Sequence, residues 1–230
     1  MVTLNPSSPH PFPEAEDDAL KKIMAGLPLI RASYRIGLEE VCERIELLRQ
    51  SLDQDRDYNP IEHVKSRLKT PESIISKVHR RGYAWTLDSI RDNVRDIAGI
   101  RIACSFVSDI YQVSALLQKQ PDILLVEYKD YIRTPKPNGY QSLHLILQVP
   151  VALSGHQEKV FVEVQIRTIA MDFWASLEHK IYYKYDKAVP QHLKDELKKA
   201  ADTVAQLDNK MERIHQEMQQ VKNSGSPSRP

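Results

Sequence analysis

The run Lys159–Arg167 sets Glu163, Gln165 and Arg167 in alternation with Val160, Val162, Val164 and Ile166. Side chains on a strand point to opposite faces in turn, so this spacing predicts one continuous apolar face and, on the other, an acid, an amide and a guanidinium in a row. A buried strand has no need of such a row, which makes it a candidate site. A solvated outer sheet face also carries alternating charges, and the segment alone does not separate the two. A second acid, Asp96, stands just ahead of a strand in which Ile100 and Ile102 share one face and Arg101 points away from it. Asp96 fits a turn cap. Together with Glu163 it would also give two carboxylates to one Mg²⁺, an ion usually held by one or two carboxylates plus substrate phosphates.

Two further segments carry cations. Lys65, Arg67, Lys69, Lys77, Arg80 and Arg81 cluster within 17 residues, and Ser73, Lys77 and Arg80 recur at helical spacing on one face. Phosphates need such clustered donors, Arg for a bidentate grip and Lys as a point charge. A solvated basic helix would look the same. Between Lys129 and His144, Pro135, Pro137 and the pair Asn138-Gly139 shape a loop that presents Lys129, Arg133, Lys136, Tyr140 and His144. A purine can stack on Tyr140 while Lys136 and Arg133 hold phosphates. Against this stands a plain polar hairpin loop with a structural histidine.

These segments need elements to hold them. Thr70-Pro71-Glu72 reads as a helix start, with Gly82 as its stop and Ile74, Ile75 and Val78 facing a core. Strands are expected at about 97–106, 122–130, 142–149 and 159–167. Helices are expected after Ser108 and over about 168–185, the latter with Ala170, Phe173, Trp174, Leu177 and Ile181 on one side. Residues 28–52 step by threes and fours through Ile30, Tyr34, Leu38, Val41, Ile45, Leu48 and Leu52, and residues 190–222 carry a sustained heptad from Leu193 to Val221. The sum is a mixed α/β (α+β) fold, a central mixed sheet flanked by helices with long N- and C-terminal helices. The expected divisions are a disordered tail over 1–27, a core with its N-terminal helix over 28–188, a helical oligomerisation segment over 189–222 and a flexible tail over 223–230.

Composition narrows the classes. In 230 residues there are 32 Lys and Arg against 31 Asp and Glu, so the chain is not a globally basic nucleic-acid binder. No apolar run reaches the roughly 20 residues of a membrane helix, and the N-terminus lacks a signal-peptide pattern. Cys42 and Cys104 suit a reducing, cytoplasmic setting. None of the seven glycines completes a GxGxxG turn or a Walker A loop. His63, His144 and His179 would bind a transition metal only if they met in space.

Taken in order, VKSRLKTPESIISK (64–77), DIAGIRI (96–102), KDYIRTPKPNGYQSLH (129–144) and EVQIRT (163–168) resemble the motifs of RelA/SpoT-type (p)ppGpp synthetases. The segment Met171–Lys180 is similar to its counterpart in the small stand-alone alarmone synthetases, and the likeness extends to the RelP subgroup. The resemblance implies a GTP pyrophosphokinase that moves the β,γ-pyrophosphate of ATP to the 3′-hydroxyl of GTP or GDP, giving pppGpp or ppGpp plus AMP. It implies Arg67, Lys69, Ser73, Lys77, Arg80 and Arg101 as ATP-binding residues. Lys129, Arg133, Lys136, Asn138, Tyr140, His144 and Gln165 would bind the acceptor, with the guanine stacked on Tyr140. Asp96 and Glu163 would hold Mg²⁺, and Glu163 would alternatively activate the 3′-hydroxyl. It further implies a cytoplasmic homo-oligomer, a tetramer, built through the terminal helices, with no membrane and no obligatory nucleic acid. No His is followed by Asp, so synthesis without hydrolysis is expected. The rival class is a nucleotide- or RNA-binding regulatory module without turnover, which has no use for two carboxylates among its phosphates.

Overall fold

The computed structural model describes residues 14–55, 58–153, 155–183 and 189–224. Five strands, β1 (Ile61–Leu68), β2 (Ala98–Cys104), β3 (Leu124–Asp130), β4 (Leu143–Leu153) and β5 (His156–Thr168), form a sheet in the order β1-β2-β5-β4-β3. Only β2 and β5 run parallel; the other neighbours are antiparallel. The expected mixed α/β sheet is therefore present, with one strand more than the sequence announced. That strand is β1. It sits at the edge, its residues are mostly polar and exposed, and backbone pairing with β2 rather than apolar periodicity holds it.

One sheet face is the core. Ile100, Ile102, Leu145, Leu147, Val149, Val162, Val164 and Ile166 are buried there beneath α1 (Glu14–Asp55) and α4 (Val107–Gln118). In α1 the seam Ile23, Leu27, Ile30, Tyr34, Leu38, Val41, Ile45 and Leu52 is buried in steps of three, four and seven. Each such side chain contributes about 1.5–3 kcal/mol. Gly37 lets the helix approach: a Cβ there would lie 2.4 Å from Val160 Cγ2. Residues 14–27, expected as part of a disordered tail, are helical instead, and Pro28 lies inside the helix. Proline costs a helix roughly 3 kcal/mol. Burial of Ile23 and Leu27 on its N-terminal side offsets that cost. Residues 1–13 lie outside the described residues.

The short helices mount the site. In α2 (Pro71–Arg81), Thr70 accepts from Ser73 N and Gly82, at φ +64°, ends the helix, as its sequence predicts. The seven-residue α3 (Leu87–Asn93), capped by Thr86, was too short to show a period. On α5 (Ile169–Tyr183) the expected apolar side is split: Met171, Trp174 and Ala175 are buried, whereas Ile169, Phe173, Leu177 and Ile181 face outward. A second, small core joins Trp174, Ala175 and Ala201 of α6 (Gln191–Ser224), with Tyr140, Leu197 and Val204 packed against it. Leu207, Met211, Ile214, Met218 and Val221 of the heptad are exposed. No helix is long and apolar enough to cross a membrane, among the described residues.

Candidate functional site

The face of the sheet opposite the core carries the chemistry, and register explains how. One row across the strands reads Arg67, Gly99, Glu163, Ile146, Glu127; the next reads Lys65, Arg101, Gln165, His144, Lys129. Residues that are far apart in sequence become neighbours because each pair shares a register position and a face. A cavity of about 490 Å³ opens over these rows. Its walls include Arg67, Lys77, Arg80, Asp96, Lys129, Lys136, Asn138, Tyr140, His144, Glu163 and Gln165. Arg101 lines two adjoining cavities with Arg67 and Gln165.

On one side stands a cluster of ion pairs. Lys69 Nζ lies 3.0 Å from Asp96 Oδ2 and Lys77 Nζ lies 2.8 Å from Asp96 Oδ1, all three side chains being mostly buried. Burial would raise the Asp96 carboxyl, but the hydrogen bonds from Lys77 and Lys69 hold it below the usual carboxylate range. Ser73 sits on the first turn of α2 with its hydroxyl 3.0 Å from that of Thr70.

On the other side five side chains close a ring. Gln165 Nε2 donates to Glu163 Oε2 at 2.9 Å, and Arg167 Nη2 donates to Gln165 Oε1 at 2.7 Å and to the Tyr140 hydroxyl. That hydroxyl lies 2.8 Å from His144 Nε2, and His144 Nδ1 lies 3.4 Å from Glu163 Oε1. With the imidazole proton assigned to Nδ1, both arms of the ring deliver donors to Glu163. Burial alone would push Glu163 up; His144 and Gln165 outweigh it and hold the carboxyl low. Burial pushes His144 down, against the pull of Glu163, which favours the neutral imidazole. Lys136 Nζ hangs 4.6 Å from the ring centres of both Tyr131 and Tyr140. Gly139, at φ +87°, presses the loop onto α6, where a Cβ would meet Ala201 Cβ at 2.5 Å. Asn138 Nδ2 donates to Glu178 on α5 at 3.1 Å.

Most residues singled out in the sequence thus meet around one space. Arg133 does not: its guanidinium is largely exposed, pairs with Asp130 and lies over the Tyr111 ring. Arg167 is not part of a solvated face but 3% exposed, the hub of the ring. The three histidines stay apart, and no group of three or more His, Cys, Asp or Glu could hold a metal among the described residues. Arg81, which the sequence placed in the basic cluster, lines the main cavity as well, and Glu127, Tyr131 and Glu178 line it without having been anticipated as site residues. So does Asp172, 3.2 Å from both Arg101 and Arg167, stand beside it unannounced. The last two reach the site by the packing of α5, for which the sequence carries no spacing signal.

Comparison with known proteins agrees with this geometry. Residues 66–188 match the family described as "Region found in RelA / SpoT proteins". The chain is 48% identical over 201 residues to GTP pyrophosphokinase YwaC of Bacillus subtilis, covering 87% of this chain and 96% of that protein. It is 37% identical over 188 residues to GTP pyrophosphokinase YjbM of the same organism, covering 82% and 88%. Among solved structures it superposes on small alarmone synthetase 2 of Bacillus subtilis with TM-score 0.76 at 48% identity, over 84% of this chain and 99% of that one. Small alarmone synthetase 1 from that organism, bound to its product pppGpp, superposes with TM-score 0.78 at 36% identity, over 84% and 98%. With the motifs assembled on one sheet face and the matches running nearly the full length of these relatives, the chain belongs to the RelA/SpoT family, in the compact form of the small alarmone synthetases.

Proposed function

We propose that this chain is a GTP pyrophosphokinase of the RelP subgroup, transferring the β,γ-pyrophosphate of ATP to the 3′-hydroxyl of GTP or GDP without hydrolase activity. The observation that carries the reading is the position of Glu163, an ionised carboxylate in one cavity with a lysine-paired aspartate and an aromatic-lined loop. The relatives' names and the pppGpp on a structural neighbour support it. Arg67, Lys69, Lys77, Arg80 and Arg101 bind the triphosphate and base of ATP, with Ser73 at the first turn of α2. Tyr140 stacks on the guanine, while Lys129, Lys136, Asn138, His144 and Gln165 surround the acceptor.

The 3′-oxygen forms its bond to the β-phosphorus as the bond from that phosphorus to the α-phosphate's bridging oxygen breaks, and AMP leaves with that oxygen. Glu163 accepts the hydroxyl proton. Its low affinity for protons keeps it ionised at neutral pH, and the hydroxyl acidifies as its bond to phosphorus forms. Preorganised cations then stabilise charge on the transferring group. Asp96 and Glu163 fit Mg²⁺: both carboxyls are held ionised, and the charge of Asp96 is felt at Glu163. Substrate phosphates would complete the shell, since such an ion is usually held by one or two carboxylates. When bound, Mg²⁺ would neutralise and orient the phosphate oxygens.

The exposed stripes of α5 and α6 support self-association through these helices, and the proposed assembly is a cytoplasmic homotetramer. Light scattering should give four subunits, and Met211→Glu with Ile214→Glu should dissociate them. Incubation with γ-³²P-ATP, Mg²⁺ and GTP or GDP tests the activity. Label should move to the guanosine nucleotide with AMP as coproduct; a folded protein that transfers none to either acceptor overturns the reading.

A further inference from the structure

Asp172 stands on the first turn of α5 with 7% of its surface exposed. Its Oδ1 lies 3.2 Å from Arg101 Nη1 and 3.2 Å from Arg167 Nη1. By the proposed assignment the two guanidiniums serve different substrates, although both line one cavity with Tyr140 and Gln165. Arg101, on β2, lines cavities with Arg67, and Arg167, on β5, holds Gln165 and the Tyr140 hydroxyl. One oxygen therefore bridges the ATP half and the acceptor half. The other, Oδ2, has His63 Nε2 at 3.8 Å, too far for a hydrogen bond. A buried cation, Arg167, and a half-buried one, Arg101, repel each other at this range, and Asp172 is the anion set between them.

We propose that Asp172 is a positioning residue that couples the two nucleotide subsites by fixing Arg101 and Arg167 through a single carboxylate oxygen. It touches neither substrate. With the carboxylate in place, a nucleotide that orders Arg101 also orders Arg167, and through it Tyr140 and Gln165, so each nucleotide prepares the site for the other. Without it the arginines move apart and each half is left to itself.

The proposal rests on the pyrophosphokinase reading, and the test keeps the two apart. Dissociation constants for GDP are measured by calorimetry on the full chain, with and without a saturating non-hydrolysable ATP analogue, together with KM and kcat for both nucleotides. The wild type should bind GDP at least about fivefold more tightly when the analogue is present. Asp172→Asn keeps the shape and one acceptor oxygen but loses the charge. It should bring that factor close to one and raise KM for both nucleotides by about tenfold, the loss of one charge-assisted hydrogen bond. The kcat should change less than either KM. Asp172→Glu, which restores the charge, should recover part of the coupling even if Asp172→Asn folds poorly. A rise in KM for ATP alone would reduce Asp172 to an anchor for Arg101 and overturn the coupling. Unchanged KM values in a folded Asp172→Asn would overturn the proposal outright. A wild type that neither binds nor turns over either nucleotide would instead remove the functional reading beneath it.

Discussion

The two halves of the cavity are held together by different forces. In the half proposed to take ATP, Lys69 and Lys77 are both committed to Asp96, and an incoming triphosphate would have to draw those ammonium groups toward itself. In the acceptor half, Glu163, Gln165, Arg167, Tyr140 and His144 already satisfy one another in a closed ring. One half is poised by charge and must rearrange; the other is preorganised by hydrogen bonds. Electrostatic catalysis gains most from groups that need not move during reaction. The ring accordingly surrounds the residue proposed to take the proton, and the ion pairs stand where the phosphates are proposed to bind.

The sharpest way to break this contrast is Glu163→Gln. The amide keeps one acceptor oxygen for the ring, turns a donor toward the other partner and cannot accept the proton, so kcat should fall by about 10³-fold while the protein stays folded and GDP affinity changes far less. Single-turnover rates and a calorimetric titration check both halves of that statement. Lys77→Ala should act on the other half, raising KM for ATP by about 10- to 100-fold while KM for GDP, measured at saturating ATP, stays within about threefold. An equal rise in both would mean that the halves are not separable in this way. Tyr140→Phe keeps the stacking ring and removes the hydroxyl that joins Arg167 to His144. A drop in kcat of about fivefold, larger than the change in KM for GDP, would show that the ring serves the chemistry and not only the grip on guanine.

The smallest expected effect lies outside the ring. Asp208 on α6 accepts from Thr168 at 2.6 Å, and burial raises its carboxyl above the ordinary value. A group whose folded pKa is raised contributes stability in its protonated form at low pH, and that contribution is lost as pH rises through the folded value. At neutral pH the buried charge is therefore a burden. Asp208→Asn should raise the melting temperature by roughly 1–3 °C at pH 7 and by less near pH 4. A lower melting temperature at pH 7 would show that the charge on Asp208 is needed to hold α6 against β5.

How legible this was varies by element. The alternation at Lys159–Arg167 and the Thr70-Pro71 start of α2 are local signals, and the structure carries both. The strand β1 was not legible because edge pairing needs no apolar period, yet it brings Lys65 and Arg67 to the cavity. Arg133 looked equivalent to Lys136 in the loop, but the turn aims it at Tyr111 and Asp130 instead. The apolar stripes of α1 and α6 read alike in sequence. One is buried in the core and the other faces outward from Leu207 onward, because the sheet has only one apolar face left to cover and α1 covers it with α4.

Local order along the chain was enough to determine which residues carry charge on which face, where α2 begins, and that two carboxylates and an aromatic loop belong to one mixed sheet. Strand order and register decided which of them meet: Gly99 beside Glu163, Arg101 beside Gln165, Gln165 beside His144. Helix packing decided the rest, placing Asp172 between two arginines and Ala201 against Gly139. Periodicity is a property of neighbouring residues, whereas a bridge between residues 101, 167 and 172 exists only once strands and helices have docked.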